Sequence, residues 1–270
     1  MRAPRNPVER RAFFGLLALG AAVAVTGCAD DRPGTAPSPT ATTSPGPPSG
    51  SDPDVPADTG ADGPTRVLSK GPAGSNQIAL TVDDGYSNEV VAGYVAFAHR
   101  TGIHLTFSPN GLYAHAWAPH AATLTPLIEA GQVQIINHTY NHHDLRPMTD
   151  AQIRAELERN DEWVSTTFGT RTTPYYRPPF GFHNPHVDGV AAELGYRNTV
   201  MWNGSYGDSK LVTPDYLMSQ ARRYLQPGTI LLGHANHPTV LGLLDQIADL
   251  VRQRNLTPVT LREMFPPAEH

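Results

Sequence analysis

The chain contains one cysteine, Cys28, in 270 residues, so no disulfide can close within it. It has no run of Lys and Arg beyond its extreme N-terminus, its formal charge is −5 and its pI is near 6.2. Nucleic-acid binding draws on a concentrated basic face, so that partner is not expected. Aromatics make up 8% and hydrophobic residues 39% of the chain, enough for one sizeable core but low for a chain compact from end to end. No apolar stretch reaches the roughly 20 residues of a permanent transmembrane helix. Histidine, by contrast, is plentiful at twelve. It is the commonest metal ligand and the usual proton carrier near neutral pH. Most are expected to be ordinary surface residues, so placement decides which matter.

The weak hydrophobicity is concentrated at the front. Arg2, Arg5, Arg10 and Arg11 precede an apolar run over residues 12–25, too short for a membrane span but suited to the core of a signal peptide. The run closes on Val25-Thr26-Gly27-Cys28, which resembles a bacterial lipobox: small residues, then a cysteine that is acylated and becomes the new N-terminus. Arg10-Arg11-Ala12-Phe13-Phe14 also resembles a twin-arginine export signal. From Ala29 to Pro64 the composition is dominated by Pro, Thr, Ser, Gly, Asp and Ala, with Val55 the only larger aliphatic residue. Such a segment buries too little apolar surface to offset its ordering entropy. Residues 1–28 are therefore expected to be a lipoprotein signal peptide, residues 29–68 a disordered linker, and residues 69–266 a single folded domain. Export and lipid anchoring through Cys28 would hold that domain, as a monomer, at the outer face of a bacterial cell membrane.

From Asn76 onward short apolar runs alternate with amphipathic segments. Strands are expected over residues 77–82, 103–107, 132–136, 175–177, 198–202, 229–232 and 256–260. Between them, Ser87 or Asn88 can cap a helix that stops at Gly102, and Thr149 with Gln152 forms a capping-box signature. Thr213 caps a helix with Pro214 in its first turn, and residues 239–254 read as a further helix. Alternation of this kind implies parallel strands joined by crossovers. About seven units in under 200 residues point to α/β architecture of the distorted (β/α)7-barrel type.

In β/α barrels the reactive groups gather at the C-terminal strand ends. Asp83 and Asp84 follow the first expected strand, His138 and His142 the third, Arg177 ends the fourth, Trp202 and Asp208 follow the fifth, and His234 follows the sixth. All would face one mouth. Two adjacent carboxylates repel unless one binds a metal while the other pairs with a cation such as Arg177 and acts as a base; the plainer reading is a loop pair capping the next helix. His138 and His142, four apart, would face one way on a helical turn and complete a His2Asp set with an open coordination position, as catalytic zinc sites require. His234 reads either as a general acid or as a satisfied strand-end histidine. Asp208 could hold its imidazole in the charged form a proton donor needs.

Thr81-Val82-Asp83-Asp84-Gly85, His138-Thr139-Tyr140-Asn141-His142, Arg177-Pro178-Pro179-Phe180-Gly181 and Leu232-Gly233-His234 together resemble, in order, the motifs of the polysaccharide deacetylases, the NodB-homology group or carbohydrate esterase family 4. The resemblance spans residues 76–261. It implies a divalent ion, Zn2+ or another transition metal, on Asp84, His138 and His142, with Asp83 as base, Arg177 orienting it and His234 as acid. It further implies Leu232 against the acetyl methyl group, the Phe180 N–H on the oxyanion, and Trp202 at the pocket wall. Asp208 matches the second Asp of the family's fourth motif, whereas Ser205 and Ser209 replace its first Asp and its Trp. Tyr86 stands where a Pro is usual, and Ala235-Asn236-His237 follows His234 in place of the more usual acidic residue.

The function expected is removal of N-acetyl groups from a cell-envelope or extracellular polymer, peptidoglycan or a chitin-like glycan. Two rivals stand beside it: the same centre acting on another amide or on an O-acetyl ester such as acetylated xylan, and a catalytically silent glycan-binding lipoprotein.

Overall fold

The computed structural model describes residues 64–266; the expected signal peptide and most of the expected linker lie outside the described residues. In chain order the elements are β1 (Arg66–Leu68), β2 (Gln77–Asp84), α1 (Asn88–Thr101), β3 (Leu105–Pro109), α2 (Ala114–Trp117), α3 (Ala121–Glu129), β4 (Val133–Ile135), α4 (Asp150–Phe168), β5 (Tyr175–Tyr176), α5 (Pro185–Glu193), β6 (Asn198–Val200), β7 (Gly204–Ser205), α6 (Pro214–Tyr224), β8 (Ile230–His234), α7 (Leu244–Gln253), β9 (Thr257–Pro258) and α8 (Leu261–Met264).

The helices begin and end where side chains satisfy the free backbone groups of their termini. Ser87 accepts the Val90 N–H at the start of α1, and Gly102 takes the left-handed turn that ends it. Thr149 and Gln152 form both halves of a capping box on α4, and Thr213 caps α6 with Pro214 behind it.

All ladders between the named strands are parallel, as the alternation predicts. One sheet runs β4-β3-β2-β8-β7 with β9 beside β2, and the other runs β1-β6-β5. Asn137, just past β4, bridges Tyr176 in parallel, and Lys70, just past β1, pairs with Thr229 ahead of β8. These irregular joints carry the wall round into a distorted barrel. β2 lies at its centre, and nearly all of its residues are buried. Ile78, Leu80 and Val82 pack outward among residues of α1, α6 and α7. Ala79 belongs instead to the cluster with Ile136, Tyr175, Val200 and Leu232, so the two-residue period of a strand assigns residues 79, 81 and 83 to the interior.

Three expectations need correction. Arg66–Leu68, assigned to the linker, is a strand paired with β6. Its residues Val67 and Leu68 are too few to show a period after a polar tract, yet Leu68 is buried in the core. β7 is a two-residue strand that no run of apolar residues announces. The helix expected over residues 239–254 is divided: a 3-10 turn, Pro238–Gly242, precedes α7.

Candidate active site

Consecutive strand residues face opposite sides, so Asp83 and Asp84 should diverge. The backbone of Asp84 removes that constraint by taking a left-handed turn at φ 65, and both carboxylates line one cavity. Four of the five non-glycine left-handed residues among those described lie around it: Asp84, Thr139, His142 and Phe180. Each such residue costs on the order of 1–3 kcal/mol and is held only where its surroundings over-determine it. The fold concentrates that cost at this mouth.

Asp83 is buried and accepts a hydrogen bond from Nη1 of Arg177 at 2.7 Å. The same guanidinium nitrogen donates to Thr81 at 2.9 Å, while Nε reaches the Val200 carbonyl at 3.3 Å. Arg177 is fully buried, so this ion pair works in a low-dielectric interior, where removing either partner strands the other charge.

His138 and His142 do not lie on a helical turn, contrary to the expectation; they sit on a loop after β4. The loop is fastened from beneath by amides and a carboxylate that the sequence reading passed over. Asn137 accepts the Thr139 N–H, and Asn110 donates to the carbonyls of His138 and Thr139. Glu156 on α4 accepts the Asn141 N–H, and the Thr139 hydroxyl accepts the His142 N–H. With φ 66 at Thr139 and φ 57 at His142, the chain doubles back and brings the two imidazoles to a ring separation of 4.9 Å.

The convergence is specific to atoms. Oδ1 of Asp84 is 3.4 Å from Nε2 of His138 and 3.4 Å from Nε2 of His142. Nδ1 of His138 faces the Arg177 carbonyl at 2.8 Å. A carbonyl only accepts, so Nδ1 carries a proton there and Nε2 is the nitrogen whose lone pair the neutral imidazole turns to the cavity, the arrangement typical of metal-ligating histidines. Oδ1 of Asp84 is buried with no hydrogen-bond partner, and the three ligand atoms lie within 4.8 Å of one another. A buried, orphaned carboxylate oxygen between two imidazole nitrogens fits a divalent cation.

Burial raises the pKa of Asp84, but His138 and His142 outweigh it and hold the carboxyl below its usual range. Burial likewise opposes charge on His138, and Asp83 and Asp84 overcome it and raise its pKa. His142 is pushed down to about 4 by burial and by His138, which keeps it neutral, the form that ligates.

Across the cavity His234 ends β8. Its Nδ1 donates to Oδ1 of Asp208 at 2.9 Å, and its backbone N–H donates to Oδ2 at 3.2 Å. Burial disfavours the imidazolium, yet the hydrogen bond and charge of Asp208, with smaller help from Asp84 and Asp83, raise its pKa to about 9.

The cavity has a volume of about 330 Å3 and is lined by both carboxylates, the three histidines, Pro178, Phe180, Gly181, Trp202, Ser209 and Leu232. All ten residues singled out from the sequence thus meet in or directly behind one cavity: Asp83, Asp84, His138, His142, Phe180, Trp202, Leu232 and His234 line it, and Arg177 and Asp208 bond to its lining. Phe180 packs its ring 4.6 Å from that of His142.

The class defined by this fold and site agrees with the comparisons. The profile of the family described as Polysaccharide deacetylase matches residues 70–199. It is 29% identical over 184 residues to the peptidoglycan-N-acetylmuramic acid deacetylase PdaA of Bacillus subtilis, covering 65% of this chain and 66% of that one. The solved PdaA structure superposes with a TM-score of 0.64 at 26% identity, covering 73% and 84%. The peptidoglycan-N-acetylglucosamine deacetylase of Bacillus cereus is 26% identical over 199 residues, covering 72% and 70%. The fold is shared as well with BA3943 of Bacillus anthracis, described as a CE4 family pseudoenzyme, at 19% identity and a TM-score of 0.65, covering 73% and 68%.

Proposed function

We propose that this protein removes N-acetyl groups from a sugar polymer of the cell envelope or the extracellular space, peptidoglycan or a chitin-like GlcNAc glycan. The observation that carries the reading is the convergence of Asp84 Oδ1 with the Nε2 atoms of His138 and His142, flanked by an arginine-paired carboxylate and a carboxylate-paired imidazole.

Asp84, His138 and His142 would hold the cation, which we take to be zinc. When bound, it supplies Lewis acidity, polarising an acetyl carbonyl and making a neighbouring water more acidic. Asp83, aimed by Arg177, takes a proton from the water that attacks the carbonyl carbon. The oxyanion that forms is met by the Phe180 N–H, the role such donors play in acyl transfer. His234, held protonated by Asp208, delivers its proton to the amide nitrogen as the C–N bond breaks, so acetate and a sugar amine leave. Leu232 and Trp202 enclose the acetyl methyl group and exclude water from it.

Acetate release from peptidoglycan, chitin oligomers and acetylated xylan tests the reading: release from the first two, abolished by chelation, is expected, and zinc and glycan binding without acetate release would replace it with the silent-lectin alternative. The lipobox-like Val25-Thr26-Gly27-Cys28 supports a lipid anchor outside the membrane. Substituting Cys28→Ala should move the protein from the membrane fraction to the soluble one; an unchanged distribution would remove the anchor.

A further inference from the structure

One residue outside the catalytic set grips a metal-site carboxylate directly. Asn236 lies two residues past His234 and is buried. Its Oδ1 accepts the N–H groups of Gly85 and Tyr86, each at 3.3 Å, and its Nδ2 donates to Oδ2 of Asp84 at 2.7 Å. From the other side, Nε1 of Trp117 on α2 donates to the Asp84 carbonyl at 2.9 Å. The left-handed turn at Asp84 is therefore clamped between β8's following loop and α2. Of the two carboxylate oxygens, Oδ2 is occupied by the amide, and Oδ1 alone is left without a partner, facing both imidazoles.

We infer that Asn236 is a positioning residue that commits Asp84 to single-oxygen coordination through Oδ1 and presets the cation site before the cation arrives; this rests on the metal reading proposed above. An amide suits this task as a carboxylate does not. It accepts from the turn and donates to Asp84 at once, whereas an acidic side chain in its place would bring a third negative charge against Asp83 and Asp84. Groups of this kind, which orient a ligand without touching the ion, typically set metal affinity by about 10- to 100-fold.

The test is the full chain with Asn236→Ala, its Zn2+ Kd read by competition against a chromophoric chelator and its melting temperature read in excess chelator. Weakening by about 10- to 100-fold is expected in Kd. In the cobalt-substituted protein, release of Oδ2 to the ion raises the coordination number and weakens the visible d–d absorption. A role confined to holding the turn would lower the chelated melting temperature but leave the Kd and the cobalt spectrum unchanged, and that result overturns the inference. Should the alanine variant fail to fold, Asn236→Ser, too short to span turn and carboxylate together, carries the same measurements with the same expectation. If the parent binds zinc and releases acetate while the variants bind zinc as tightly, the inference alone falls. If the parent binds no zinc, the proposed function falls with it.

Discussion

The pairing of His234 with Asp208 makes a quantitative demand. Nδ1 and the backbone N–H of His234 both donate to this buried carboxylate, and the imidazole is raised to about 9 from an ordinary 6.5. Asp208→Asn keeps an acceptor but removes the charge, so the value should return to 6.5 or below, since burial then acts with less opposition. At pH 8 a group at 9 is about 90% protonated and a group at 6.5 about 3%, a ratio of about 30; at pH 6 the two differ by less than about twofold. Acetate release by the variant should therefore fall about 30-fold more at pH 8 than at pH 6 beyond any uniform loss. The same shift bears on stability. A group whose folded value lies above its unfolded one stabilises the protein fully below pH 6.5 and loses that contribution as pH rises through 9, here about 3 kcal/mol. Denaturant unfolding of parent and variant should thus diverge at pH 6 and converge above pH 9. Parallel pH profiles, displaced by one constant factor, would refute the assignment of Asp208 as the group that keeps the acid charged.

Asp83→Asn should cut acetate release by about 10²- to 10⁴-fold, the usual worth of a general base, while metal analysis still finds the ion bound. Chelation should lower the melting temperature of the parent and abolish turnover, with re-added Zn2+ restoring both; a melting curve indifferent to chelator would speak against a resident ion. Away from the site, Thr149→Ala removes the capping box of α4 and should cost about 1 kcal/mol in denaturant unfolding with acetate release unchanged.

Much of this was legible in the sequence because it depends on local rules. The strand-helix alternation, the caps at Ser87, Thr149 and Thr213, and the stop at Gly102 follow from backbone hydrogen-bond needs that neighbouring residues meet. The gathering of Asp83, Arg177 and His234 follows from their places at parallel strand ends. What escaped depends on contacts between distant segments. Asn137 and Thr139 bond the loop of His138 and His142 locally, but the other groups that fold it back, Asn110 and Glu156, come from β3's end and from α4. The strand Arg66–Leu68 is too short for a period and is defined by its partner β6. Asn236 was visible as a departure from the family pattern, but its grip on Asp84 spans 152 positions, and no spacing rule reaches that far.

The central claim is that Asp84, His138 and His142 hold one catalytic cation. An anomalous difference map from crystals of the zinc-loaded protein tests it most directly. The account predicts one strong peak within bonding distance of Asp84 Oδ1 and of Nε2 of both histidines. A peak elsewhere, or none there at zinc levels that support turnover, would contradict it.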